Sequence, residues 1–204
     1  MCQEVKELVQ HLDLRKMESR LSLHCAPVIT GIKTSNLLVI NSREEDALRN
    51  LLRHSGLSYF RMLRSQEKTY FLLFRREKLE SYLRKPEVSD MLQELGYTNF
   101  SFGYILRNFQ KRYLAYMEKG EEFPHEMGLL LGYPYEDVKG FMEHEGRDSL
   151  YTGYWKVYHN LPEKKRLFRK YEEAEETLIR LLAANTDFRL ILEIYKTGNP
   201  ARIA

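Results

Sequence analysis

The sequence predicts an α+β fold: a small, mainly antiparallel sheet of at least three strands in the first half, packed with helices, and a second half that is mostly α-helix. Three observations carry this. "NLLVI" at 36–40 is a short apolar run bounded by turn residues, as a buried strand is. "LSYFRMLRS" and "KTYFLLFR" flank the polar Ser65, Gln66 and Glu67, an interval of hairpin length. From residue 76 onward, apolar positions recur at three- and four-residue intervals, the period of a helix buried along one face.

The elements follow in order. Val5, Leu8, Val9 and Leu12 give an opening helix over 3–12, and "MESRLSLH" continues it or starts a second. Pro27 suits the first position of a short helix over 27–33, ahead of the "NLLVI" strand. Asn41 and Ser42 then cap "REEDALRNLLRHSG", a helix with acidic residues in its first turn and Gly56 at its end. After the hairpin come helices in "REKLESYLR", in "PEVSDMLQELGY" with Pro86 as its starter, and in "FSFGYILRNFQKRYLAYMEKG" up to Gly120. Pro124 and Pro134 each start a further helix around a Gly-Tyr-Pro turn. "EKKRLFRKYEEAEETLIRLLAAN" is a long amphipathic helix with Leu167, Tyr171, Ala174, Leu178 and Leu181 on one stripe, and "DFRLILEIYKTG" is the last. The aromatic "LYTGYWKVYHN" reads either as a strand or as one face of a helix.

At 204 residues the chain is long enough to bury a core without disulfides or metals, and one domain over 1–204 is the expectation. A change of texture at 96–99 resembles no linker, and no repeat or low-complexity tract interrupts the chain. Thirty-two Lys and Arg against 29 Asp and Glu leave a net charge of +3, too small for a dedicated nucleic-acid footprint. No apolar run reaches the roughly 18–20 residues of a membrane span. Two cysteines, Cys2 and Cys25, make no disulfide framework, so a reducing cytoplasm is the expected compartment. The partner expected is a small molecule or a protein, with no nucleic acid and no membrane.

No glycine-rich nucleotide loop, nucleophile elbow or kinase set occurs, and the sequence names no cofactor. Two segments could still carry chemistry. In "HCAPVITGIKTSN", Cys25 precedes a proline-started helix beside His24, a position that lowers a thiol's pKa. In "FPHEMGLLLGYPYEDVKGF", His125 and Glu126 fall in the opening turn of a helix, whose field favours a neutral imidazole able to act as a base. The site expected on this reading joins Cys25 as nucleophile, His125 as base and Glu126 as orienting group, with His24, Lys33, Asn36 and Trp155 as ligand contacts. The competing reading makes Cys25 a packed core residue in an apolar run and His125 a helix-end polar group. Adjacent His24-Cys25 and His125-Glu126 lack metal-ligand spacing, so no metal is expected.

The blocks "LHCAPVITGIKTSNLLVI", "FPHEMGLLLGYPYEDVKGF" and "GYWKVY", in that order, resemble a bacterial family common among anaerobes and described as a domain of unknown function of much this chain's length. The resemblance spans nearly the whole chain. It implies one full-length domain in an anaerobic bacterial cytoplasm and implies that the three blocks belong together. It supplies no activity, cofactor or catalytic residue. The function expected is therefore small-ligand binding or a cysteine-dependent hydrolase or transferase, with a non-enzymatic interaction or regulatory module as the alternative.

Overall fold

The computed structural model describes residues 2–196. Three strands, β1 (Ser35–Asn41), β2 (Ser58–Arg64) and β3 (Lys68–Phe74), form an antiparallel sheet in the order β1-β3-β2. The register sets Leu72 between Leu37 and Phe60, and Phe71 between Leu38 and Arg61. β3 is central because "YFLLF" is apolar at consecutive positions and can be covered on both faces. Period-two alternation sends Phe71 and Leu73 into one core and Leu72 and Phe74 into another.

The first core packs α2 (Met17–His24), α3 (Ala26–Ile29), α4 (Glu45–Leu52), α10 (Leu161–Ala183) and α11 (Phe188–Ile194) against Leu38, Ile40, Phe71 and Leu73. The second packs α5 (Arg76–Leu83), α6 (Pro86–Glu94), α7 (Phe102–Lys119), α8 (Glu126–Leu130) and α9 (Tyr135–Glu143) against Met62, Leu72 and Phe74. Each fully buried large side chain among them contributes about 1.5–3 kcal/mol. A short hairpin of β4 (Tyr151–Thr152) and β5 (Lys156–Val157) lays Trp155 and Val157 on Phe168 and Tyr171 of α10. The remaining helix, α1 (Gln3–His11), is tied to α10 by the Glu4–Arg180 ion pair at 2.7 Å.

Local chemistry explains the boundaries. Asn41 accepts from the Arg43 N–H at 3.0 Å while Glu44 accepts from the Asn41 N–H at 3.1 Å, a reciprocal cap that turns the chain out of β1 toward α4. Gly120 ends α7 at φ +68°, a left-handed conformation that glycine adopts without a Cβ clash. Along the outer edge of β2, a bulge between Arg61 and Leu63 frees two carbonyls, and the Gln110 amide donates to both, at 2.8 and 3.2 Å. The aromatic segment at 150–160 is a hairpin rather than a helix, with Tyr151 and Thr152 opposite Val157 and Lys156.

Two expected helices are shorter than the sequence suggested. The helix expected over 27–33 is the four-residue α3, ended by Gly31 at φ +79°. The helix expected from Pro124 starts two residues later as the five-residue α8, so His125 is its N-cap rather than part of its first turn. The end of the last expected helix, residues 197–198, lies outside the described residues. Among the described residues, no helix is long and apolar enough to cross a membrane.

Candidate functional site

The three blocks singled out in the sequence meet in space. The Ser35 hydroxyl donates to the carbonyl of Leu130, and Gly132, at φ +70°, lies so close to Thr34 that a Cβ there would be 2.0 Å from its Oγ1. That approach requires a glycine and brings the 32–36 turn onto the end of α8. Tyr133 follows, with the Lys33 ammonium 5.4 Å from its ring centre and the Trp155 indole stacked on it at 5.0 Å and 26°. Gly140 closes the third contact, since a Cβ there would fall 2.5 Å from that of Tyr158. Tyr133 thus touches all three segments.

Beside Tyr133 opens a cavity of about 290 Å³. Its walls are mostly apolar: Phe123, Met127, Leu131, Val138, Phe141 and Trp155. Besides the Tyr133 phenol, His125, Asp137 and Lys156 are its ionisable groups. Asp137 is buried and fully engaged, accepting from the Trp155 indole N–H at 2.7 Å and from the backbone N–H groups of Tyr158 and His159 at 2.8 and 3.0 Å. It locks the indole in the wall. His125 packs edge-on against Phe123, 5.7 Å between ring centres, and is tilted against Phe141 at 6.0 Å.

The expected catalytic trio is not assembled. Cys25 is fully buried in the first core, between α2 and α3, and its side-chain partner is the Asn36 amide at 3.8 Å. Burial pushes the thiol up to about 11, against weaker opposing effects of the Asn36 hydrogen bond and the Lys33 charge. This is the reverse of the thiolate activation expected beside a helix start, because desolvation outweighs the field of one four-residue helix. No hydrogen bond, ion pair or ring contact joins Cys25 to His125 among the described residues. Glu126, also fully buried, faces elsewhere: it pairs with the Arg112 guanidinium at 2.7 Å and accepts from the Tyr97 hydroxyl at 3.0 Å. It orients neither Cys25 nor the His125 ring.

What does assemble around Cys25 is a buried polar group of its own. Asn36 binds the Lys33 ammonium through its oxygen at 2.7 Å and donates to the His24 carbonyl at 2.6 Å. The His24 side chain itself is exposed, so only its backbone enters the cluster. Lys33 is 6% exposed, and burial pulls its ammonium down to about 8, against smaller opposing effects of Cys25 and Glu175. Glu175, raised above the usual carboxylate range by burial, accepts from the Tyr154 hydroxyl at 2.8 Å.

This cluster predicts a pH signature. Lys33 titrates near 8 folded and near 10.5 unfolded, so between those values the unfolded chain holds a proton the folded chain has released, and stability rises with pH. Cys25 works oppositely between 9.0 and about 11, where the folded chain keeps a proton the unfolded chain has lost. Lys33 therefore dominates from about pH 8 to 9, adding about 1 kcal/mol over that interval, of which the Cys25 effect takes back about a third. Urea unfolding at half-unit pH steps is expected to show this rise in the wild type and none in Lys33→Met. An unchanged slope in the variant would overturn the assignment.

A family described as a protein of unknown function, DUF3793, matches residues 21–192. The chain belongs to this family. No curated protein and no solved structure matches it. The DUF3793 region takes in all three blocks and every wall of the cavity, from Phe123 to Lys156. Among the described residues, no group of three or more His, Cys, Asp or Glu side chains is placed to hold a metal ion.

Of the expected site residues, Cys25, Lys33 and Asn36 lie together, and His125 and Trp155 share the cavity. Tyr133, Phe141, Asp137 and Lys156 escaped the sequence reading. In the sequence Tyr133 belongs to the Gly-Tyr-Pro turn, and Asp137 falls in the first turn of the helix after Pro134, where an acid is common for local reasons. The signal present was the Gly-Tyr pair at 132–133, where a glycine that permits close approach precedes an aromatic ring.

Proposed function

We propose that the chain is a small-ligand-binding protein of the bacterial cytoplasm and that its ligand, a flat and largely apolar molecule, occupies the cavity beside Tyr133. The observation that carries this reading is the wall: Tyr133 and Trp155 stacked on one side, Phe141 and Met127 also lining the space, and a volume at the lower end of the roughly 300–1,000 Å³ range of ligand pockets. Such a cavity suits a one- or two-ring molecule. Trp155 and His125 are the ligand contacts in this reading; Lys33, Asn36 and the His24 carbonyl support Tyr133 from behind the cavity wall. Two unpaired cysteines, Cys2 exposed and Cys25 buried, fit a reducing compartment. A cysteine-dependent reaction is disfavoured by the fully buried, protonated thiol of Cys25.

Isothermal titration with 1-naphthamide, a neutral two-ring probe, tests the reading. Saturable binding with Kd between about 10 μM and 1 mM is expected for a ligand of this size. Met127→Trp adds bulk at a half-buried wall position and is expected to weaken binding at least tenfold while unfolding at a similar temperature. Equal heats from wild type and variant would place any binding elsewhere and remove the proposal.

A further inference from the structure

The cavity is unbalanced in charge. Its one carboxylate, Asp137, uses both oxygens on the three N–H donors of Trp155, Tyr158 and His159, which already balance most of its acceptor capacity from within the protein. Lys156 is exposed at the cavity's solvent side, donates to the Gly146 carbonyl at 2.6 Å and lies 6.0 Å from the centre of the Phe141 ring. No carboxylate pairs with it among the described residues. His125 is half-buried between the rings of Phe123 and Phe141, and among the described residues no hydrogen bond reaches its ring nitrogens. An apolar slot of two-ring size therefore carries a cation and an imidazole with unspent donor capacity, while its one carboxylate is already held by three N–H donors of the protein.

We propose that the ligand is a planar aromatic acid, its ring held among Tyr133, Phe141 and Trp155 and its carboxylate met by Lys156 and His125. This rests on the ligand-binding reading above and adds the chemical class. The physical reason is complementarity: a buried ring gains from the aromatic walls, while a carboxylate satisfies donors that the protein leaves without an anion. A cationic ligand would meet Lys156 with like charge, and a neutral ring would leave that ammonium with its single carbonyl partner.

The test compares 1-naphthoate with the 1-naphthamide used above, two probes of the same shape that differ in charge. Naphthoate is expected to bind about tenfold more tightly. Lys156→Gln should lower naphthoate affinity about tenfold and leave naphthamide within twofold, and raising the salt from 50 to 500 mM should weaken only naphthoate. Lys156 is exposed, so its substitution should leave the fold intact, which circular dichroism checks. Naphthamide binding as tightly as naphthoate, or Lys156→Gln leaving naphthoate unchanged, overturns the acid assignment and spares the ligand-binding reading. Failure of both probes to bind overturns the two together.

Discussion

Arg75→Met is expected to lower stability by about 3–5 kcal/mol, among the largest losses available to one substitution in this chain. Arg75 is 7% exposed and sits just after β3, where its guanidinium reaches four backbone carbonyls. Nε and Nη2 donate to Val28 and Ile29 at 2.9 and 2.5 Å, and Nη2 and Nη1 donate to Tyr195 and Lys196 at 2.6 and 2.9 Å. These are carbonyls at the C-terminal ends of α3 and α11, where the i+4 donors run out, although Val28 also accepts from the Gly31 N–H at 3.1 Å. One planar fork thus ties together two helix ends that are far apart in sequence. Methionine matches the aliphatic stem but removes the donors to the carbonyls of Ile29, Tyr195 and Lys196 and one of the two at Val28, each orphaned carbonyl costing about 1–3 kcal/mol unless water reaches it. Arg75→Lys should recover less than half of the loss, because one ammonium cannot span both helix ends in fork geometry. Urea unfolding followed by far-UV circular dichroism measures both variants. A loss below about 1 kcal/mol for Arg75→Met would mean that solvent satisfies the carbonyls.

Why Arg75 was invisible in the sequence, while much of the fold was not, comes down to the range of the interactions. The hairpin at Ser65–Glu67, the Asn41 cap and the Gly120 stop are written within a few residues of where they act, and the structure has them there. The centrality of β3 was not among the expectations, yet its cause is equally local, because "YFLLF" has no polar face. Arg75 meets partners 46 to 121 residues away, and an arginine after a strand looks the same whether it ends in water or among carbonyls. Cys25 failed for a related reason. A helix start beside a thiol is a local signal for activation, and it was outweighed by complete burial, which the neighbouring "APVI" signalled just as openly. The two segments of the expected site do lie against each other, but the contact between them runs through Tyr133 and Gly132, not through a thiol and an imidazole.

One acid holds three donors of the segment that carries Trp155 into the cavity wall, and Asp137→Ala is expected to remove both about 3–4 kcal/mol of stability and the binding of either naphthalene probe. Asp137 stands in the first turn of α9, one turn before Gly140, so the two share a helix face. That face clamps residues 155–159: the carboxylate takes the indole N–H of Trp155 and the N–H groups of Tyr158 and His159, and the bare Cα of Gly140 admits Tyr158. Alanine would leave three donors unsatisfied in a site where the acid is 1% exposed. With its tether gone, Trp155 is free to leave the Tyr133 ring, and the chain's single tryptophan reports this directly. Its emission should shift to longer wavelength as the indole meets water. Asp137→Asn separates charge from shape. Its amide oxygen can still accept from the two backbone donors, but its NH₂ would then face the indole N–H, donor against donor. A loss of about 1–3 kcal/mol and a smaller spectral shift are expected there. If Asp137→Ala kept the wild-type emission and still bound the probes, the stacking of Trp155 on Tyr133 and its packing on Phe168 would alone suffice to hold the wall, and the buried carboxylate would have no part in shaping the cavity.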